Sequence, residues 1–261
     1  MLPALYVAKT GLAAQDMNLT TISNNLANVS TTGFKSDRAE FQDLLYQTKR
    51  QPGANSTTDT ELPSGLQLGT GVRIVGTQKN FTAGSLQTTD QPLDLAVNGR
   101  GFFQITQADG TTAYTRDGTF HLDSTGQIVT ASGQALDPAI VVPTDAQTFT
   151  VGTDGTVSIT TAGNAASQVI GNLQTADFIN PAGLQAIGSN LFLETAASGA
   201  PQVGTPGLNG LGTTLQNTLE NSNVSTVEEL VNMITTQRAY EMNSKVISTA
   251  DQMLQYVTQN L

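Results

Sequence analysis

The chain has a single imidazole, His121, within Gly118-Thr119-Phe120-His121-Leu122. One histidine cannot build a clustered-histidine metal site, and it leaves any serine nucleophile with only one base to draw on. No Gly-x-Ser-x-Gly elbow occurs to present such a serine. Cysteine is absent, which excludes disulfides, zinc–thiolate sites and cysteine nucleophiles. Asn98-Gly99-Arg100-Gly101-Phe102-Phe103 contains a Gly-x-Gly but lacks the third glycine and the following helix of a dinucleotide site. It reads as a turn before a strand. Asp123-Ser124-Thr125-Gly126 has neither the ligand spacing of an EF-hand nor that of a glycine-rich β-roll. A carboxylate pair for glycoside hydrolysis is assembled by the fold rather than by spacing. The middle of the chain, however, has few aromatic rings and no Trp on which a sugar would stack. No catalytic constellation emerges, so no enzymatic activity, cofactor or metal is expected. What remains to explain is how the chain packs, and against what.

Charge narrows the partners. The net charge is −10, which makes duplex nucleic acid and anionic lipid poor partners. Between Arg116 and Arg238 there is no Lys or Arg, while acids occur throughout. That stretch predicts an acidic, well-solvated outer surface, one suited to lying beside a wall without sticking to it. No apolar run approaches the roughly 20 residues needed to cross a bilayer, so no membrane insertion is expected. Met1-Leu2-Pro3-Ala4 has no basic n-region or apolar h-region, so no cleavable signal peptide is expected.

Two elements must organise whatever the chain does. Near the N-terminus Leu5, Leu12, Leu19 and Leu26 recur every seven residues, with Ala8, Ile22 and Val29 interleaved. Near the C-terminus Met233, Tyr240, Ile247, Leu254 and Leu261 do the same, with Ala250 and Val257 between them. A seven-residue apolar repeat is the seam of a coiled coil. The first pattern predicts a helix from Pro3 to about residue 30, stopped by Thr31-Thr32-Gly33 with Gly33 in a left-handed conformation. The second predicts a helix from Thr226 to the end of the sequence, opened by Ser225 with Glu228 or Thr226 with Glu229. Only Lys9 and Asp16 are charged in the first helix. A seam flanked by Asn, Gln, Ser and Thr instead of Glu and Lys suits contact with several other helices. Such helices are marginal in water alone, so residues 1–30 and 226–261 are expected to be largely disordered in a free monomer and helical once subunits dock.

Between the ends the pattern changes. Residues 34–75 show no apolar periodicity and read as a long connecting segment. Residues 72 to about 195 read as strands and turns, with Asp-Gly-Thr at 109–111, 117–119 and 154–156 marking hairpins. Residues 196–223 are rich in turn formers and read as a second linker. The fold class is therefore α+β, with discontinuous terminal helices forming a coiled-coil-like domain (1–33 with 224–261). A connecting region (34–71 with 196–223) and a central antiparallel all-β domain (72–195) complete it.

The termini also carry a family signature. Asn24-Asn25-Leu26-Ala27-Asn28-Val29-Ser30-Thr31-Thr32-Gly33-Phe34-Lys35 resembles the N-terminal signature of bacterial flagellar rod and hook proteins. Glu228-Glu229-Leu230-Val231-Asn232-Met233 and Gln237-Arg238-Ala239-Tyr240-Glu241-Met242-Asn243 resemble the matching C-terminal signature. The likeness runs nearly end to end and is poorest around 144–170. The stretch from Gln47 to Gly65, with Arg50, Pro52, Gly53 and Pro63, resembles a rod-specific insertion, which points to the distal-rod branch over hook or proximal rod. The resemblance implies a structural subunit of a helical homopolymer, its terminal helices lining an inner tube and its insertion making a straight, stiff shaft that transmits torque. It implies as partners other copies of the chain, proximal rod proteins, hook protein, a rod cap with muramidase activity, the surrounding P and L rings and the type III export apparatus. The implied location is the basal body, from periplasm to outer membrane. The alternatives are a proximal rod or hook subunit, or a β-rich cell-wall hydrolase carried on assembly helices.

Overall fold

The computed structural model describes residues 2–53, 55–57, 60–61, 63–161 and 164–259. The chain divides into two compact units, Met1–Ala27 with Asp37–Gln78 and Ser225–Leu261, and Asn28–Ser36 with Lys79–Val224. This is a two-part division where the sequence pattern suggested three. The segment 34–71 is split near its start, and 196–223 belongs wholly to the second unit.

In the first unit, helix α1 spans Leu2–Ala27 and helix α2 spans Thr226–Gln259. Ser225 caps α2: its carbonyl accepts from the Glu229 N–H at 3.0 Å and its hydroxyl from the Glu228 N–H at 3.5 Å. Glu228 and Glu229 in the first turn favour the positive end of the helix dipole. α1 stops at Ala27, short of the expected residue 30, and a series of turns leads to Gly33. Gly33 does adopt the left-handed conformation, with φ of 69°. Gly11, Asn18 and Asn25 of α1 meet Asn243, Thr236 and Glu229 of α2. Ascending residues thus meet descending ones, and the helices run antiparallel.

The segment expected to be an unstructured connector instead contains strands. Asp37–Asp43 pairs with Val72–Lys79, and Gln47–Arg50 pairs with Leu66–Leu68. These strands are half-buried to exposed on both faces. No alternation of apolar and polar residues therefore marks them in the sequence.

The second unit is antiparallel β-structure. Among the described residues its largest sheet has nine strands. Phe102–Thr106 is central, bonded to Thr112–Thr115, Ala135–Asp137 and Thr175–Asp177. A three-stranded sheet, Ala146–Val151, Thr156–Thr161 and Asn164–Asn172, packs with it around Phe103, Ile105, Ile128, Leu136, Val157 and Ile159. A smaller aromatic cluster holds Phe102, Tyr114, Phe178 and Phe192, with Phe81 against it and the rings edge to face. The supposed linker 196–223 contributes strands Gln202–Gly204, Thr213–Gln216 and Thr218–Glu220, paired with partners far back in the chain. Asp109-Gly110 and Asp154-Gly155 turn hairpins as expected. Asp117-Gly118 does not. There the Gly118 carbonyl accepts from the Leu95 N–H at 3.1 Å, and a Cβ on Gly118 would run into the Leu95 carbonyl. The backbone approach, not a tight turn, is what requires the glycine.

Candidate assembly interface

The apolar seam residues divide by depth. Ile22 and Ala8 are buried, and Leu5, Leu12, Leu19 and Leu26 are half-buried on α1; Val29 lies beyond the helix end. On α2 Met233, Ile247 and Ala250 are half-buried, while Tyr240 and Leu254 remain exposed. Leu261 and the side chain of Val257 lie outside the described residues. A two-helix pair covers only one flank of each seam. The rest of α2 is unusual for a soluble helix: Val227, Val231, Ile234, Met242, Met253 and Tyr256 are 50–72% exposed. Large apolar residues displayed along a helix of 34 residues form an exposed surface of the kind that marks an interaction site. No helix is long and apolar enough to cross a membrane among the described residues.

Between the helices the contacts are polar. Asn18 Nδ2 donates to Thr236 Oγ1 at 3.0 Å. Asn25 Nδ2 donates to Glu229 Oε1 at 2.9 Å and to the Asp37 carbonyl at 2.8 Å, while its Oδ1 accepts from the Asp37 N–H at 2.9 Å. One side chain therefore satisfies both backbone groups of the residue that starts the next strand and also ties α1 to α2. Asn25 is buried, so the loss of these partners would leave its amide unsolvated.

The remaining signature residues serve different purposes. Asn24, Ala27, Leu230 and Arg238 are exposed; Asn28, Phe34 and Ala239 are half-buried. Gly33 and Lys35 belong to the second unit and are buried there. The Gly33 N–H donates to the Glu220 carbonyl at 2.7 Å, and a Cβ on Gly33 would lie 2.6 Å from the Asp117 nitrogen. Lys35 Nζ donates to Glu220 Oε1 at 2.6 Å and to the Thr82 carbonyl at 2.9 Å. Glu220 Oε1 also accepts from the Gly84 N–H at 2.9 Å, and its Oε2 from Arg116 at 3.2 Å. Arg116 donates further to the carbonyls of Val97 and Gly99 and lies over the Phe102 ring. All three charged side chains are buried. Two cations share one carboxylate in a medium of low polarity, so burial pulls the Lys35 ammonium below its ordinary value, with Glu220 opposing the shift. The Lys35 end of the signature is thus a tertiary lock of the β unit and not a piece of the helical seam.

In the insertion, Gln47 and Arg50 stand on one strand of the Gln47–Arg50/Leu66–Leu68 ladder, with Pro52 and Gly53 in the turn beyond it. Pro63 is exposed, and Gly65 lies against the Arg50 carbonyl. Ala54, Thr58, Asp59 and Leu62, within the insertion, lie outside the described residues. Beside the ladder, Pro3, Tyr6 and Val7 of α1 form a cleft of about 240 Å³ with Gln47, Leu68, Gly69 and Thr70. Leu45, Tyr46, Leu66 and Leu68 are exposed, so the base of the insertion adds apolar surface to the first unit.

Comparison with known proteins follows the same segments. Residues 5–35 match the family described as Flagella basal body rod protein, and residues 215–260 match Flagellar basal body rod FlgEFG protein C-terminal. Residues 96–159 match Flagellar hook protein FlgE/F/G D1 domain. The chain is 56% identical over 259 residues to the flagellar basal-body rod protein FlgG of Buchnera aphidicola subsp. Schizaphis graminum (strain Sg), covering 99% of this chain and 100% of that protein. The chain belongs to the flagellar basal-body rod protein family. Two further rod-family relatives span it almost completely. FlgG of Caulobacter vibrioides is 49% identical and covers 98% of each chain. FlgG of Bacillus subtilis is 40% identical, over 98% of this chain and 97% of its own. The rod-family reading from Asn24–Lys35 and Glu228–Asn243 therefore holds across the whole length.

Sequence reasoning missed two features of this rod-family chain. The polar set Gly11, Asn18 and Asn25 recurs every seven residues, a signal masked by the leucines around it. The Lys35–Glu220–Arg116 cluster had no sequence signal, since its members are up to 185 residues apart.

Proposed function

We propose that the chain is a structural subunit of the flagellar basal-body rod, assembling helically with copies of itself and catalysing no reaction. The observation that carries this reading is the exposed apolar face of α2, with Val231, Ile234, Met242 and Met253 open on a helix already paired on its other side. In a tube of such subunits, α1 and α2 of neighbours cover that face and line the interior. On this reading the chain belongs to the straight, distal part of the rod, where the insertion 47–65 resists the sliding between subunits that would let a tube bend and so carries torque toward the hook. Its ladder and the apolar residues at its base support that role. The partners that fit are proximal rod proteins and hook protein at the two ends, the rod cap with its muramidase, the P and L rings around the shaft and the type III apparatus that exports the unfolded chain. The location that fits is the rod from periplasm to outer membrane.

Electron microscopy of the purified protein after polymerisation tests the reading. The wild type should form straight tubes. V231D/I234D should form none, with unchanged melting of the β unit, because two carboxylates on the docking face must otherwise be desolvated. Tubes of normal appearance from the double variant would refute it.

A further inference from the structure

The leucine positions of α1 are translation-symmetric, although the interleaved set Ala8, Gln15 and Ile22 is not. Leu5, Leu12, Leu19 and Leu26 present the same side chain at every heptad, and on α2 Met233, Tyr240, Ile247 and Leu254 keep a large apolar side chain at the same interval. Sliding one helix past the other by a heptad, about 10 Å, would return leucine to each leucine site. At the leucine sites apolar burial therefore discriminates weakly between registers.

The polar rungs are not symmetric. In the observed pairing Gly11 meets Asn243, Asn18 meets Thr236 and Asn25 meets Glu229. Each rung is seven residues from the next on both helices, but each has different chemistry. Gly11 leaves the space that Asn243 fills, since a Cβ there would lie 3.0 Å from the Asn243 amide nitrogen. A slide of one heptad in one direction sets Asn243 against Asn18, two amides where one now meets a bare glycine. The opposite slide sets it against the methyl of Ala4. Either slide removes the Asn25–Glu229 bond at 2.9 Å, and Asn25 is held in place by both backbone groups of Asp37. A polar group in an apolar seam is known to specify register at some cost in affinity.

We propose that Gly11, Asn18 and Asn25 with Asn243, Thr236 and Glu229 form a register code that selects one pairing of α1 with α2 among heptad-equivalent alternatives. The partner these surfaces fit is the other helix of the same chain. The code concerns pairing within one subunit and acts wherever both of its helices are folded.

The absence of cysteine permits a clean test. Nitroxide labels on S23C and T249C, both at exposed positions, report the axial offset of the helices in the full-length chain by pulsed electron spin resonance. With the native rungs a single separation is expected. In the G11A/N18L/T236L/N243L background a second population should appear, displaced by up to about 10 Å, with helix content by circular dichroism equal or higher. The exchange variant N18T/T236N should retain the single native separation. A single native distance in the leucine background would overturn the code and leave the chain connections at Asn28 and Val224 as what sets the register. If the leucine variant loses its helical signal, N18A/T236A with G11A carries the same decision by the same two outcomes.

Discussion

Glu220 is the most consequential single charge in the β unit, and its removal should cost more than the removal of the lysine it binds. It is the carboxylate that the donors of this cluster share, accepting from Lys35 at 2.6 Å, Gly84 at 2.9 Å and Arg116 at 3.2 Å. Replacing it in E220Q leaves two buried cations without the carboxylate they share, and sets a new amide donor among the donors of Lys35, Gly84 and Arg116. Breaking a buried pair in this way costs about 3–5 kcal/mol. K35M differs. It removes the surplus cation, fills similar volume with apolar atoms and leaves Glu220 and Arg116 as a balanced pair. Its cost is the bond to Glu220 and an unfilled acceptor at the Thr82 carbonyl, about 1–3 kcal/mol. Urea unfolding followed by near-ultraviolet circular dichroism of the aromatic cluster around Tyr114 measures both, and unchanged m-values would license the comparison. The double variant should show coupling, because the two side chains are in direct contact. If K35M destabilises as much as E220Q, or more, the reasoning from charge balance fails.

Three other outcomes follow from the same geometry. Because folded Lys35 titrates below 10.5, the unfolded chain holds that proton more tightly. Stability should then rise as pH climbs through the folded Lys35 value toward 10.5, and K35M should lack that rise when urea midpoints at pH 7 and pH 10 are compared. G33A should lower the melting temperature through a loss of about 1–3 kcal/mol for left-handed backbone, with more from the clash at Asp117. G33N should be no milder, since asparagine tolerates the angle but not the contact; a near-native melt of G33N would show that only the angle matters. Deleting residues 47–65 should yield curved or flexible rods by electron microscopy, and straight rods would remove the insertion from the account of stiffness.

What the order of residues determined by itself is local. Helices open at Ser225 and run on a seven-residue period because capping and apolar spacing are properties of neighbours in the chain. The turns at Asp109-Gly110 and Asp154-Gly155 are legible for the same reason, and so is the family signature, a string of adjacent residues. Tertiary structure decided the rest. Thr213–Gln216 and Thr218–Glu220 became strands because Leu95–Asn98 and Leu86–Thr88 offered edges more than a hundred residues away, a pairing that composition rich in glycine and proline concealed. Asp37–Asp43 is mostly exposed, so no alternation announced it. Lys35 reads in sequence as part of a helical signature, yet its charge is meaningful only beside Glu220 and Arg116, brought to it by the sheet. The leucine seams showed that two helices would pair. Which residue of one faces which residue of the other depends on side chains meeting across more than two hundred residues of chain, and spacing along a single strand of sequence carries no information about that meeting.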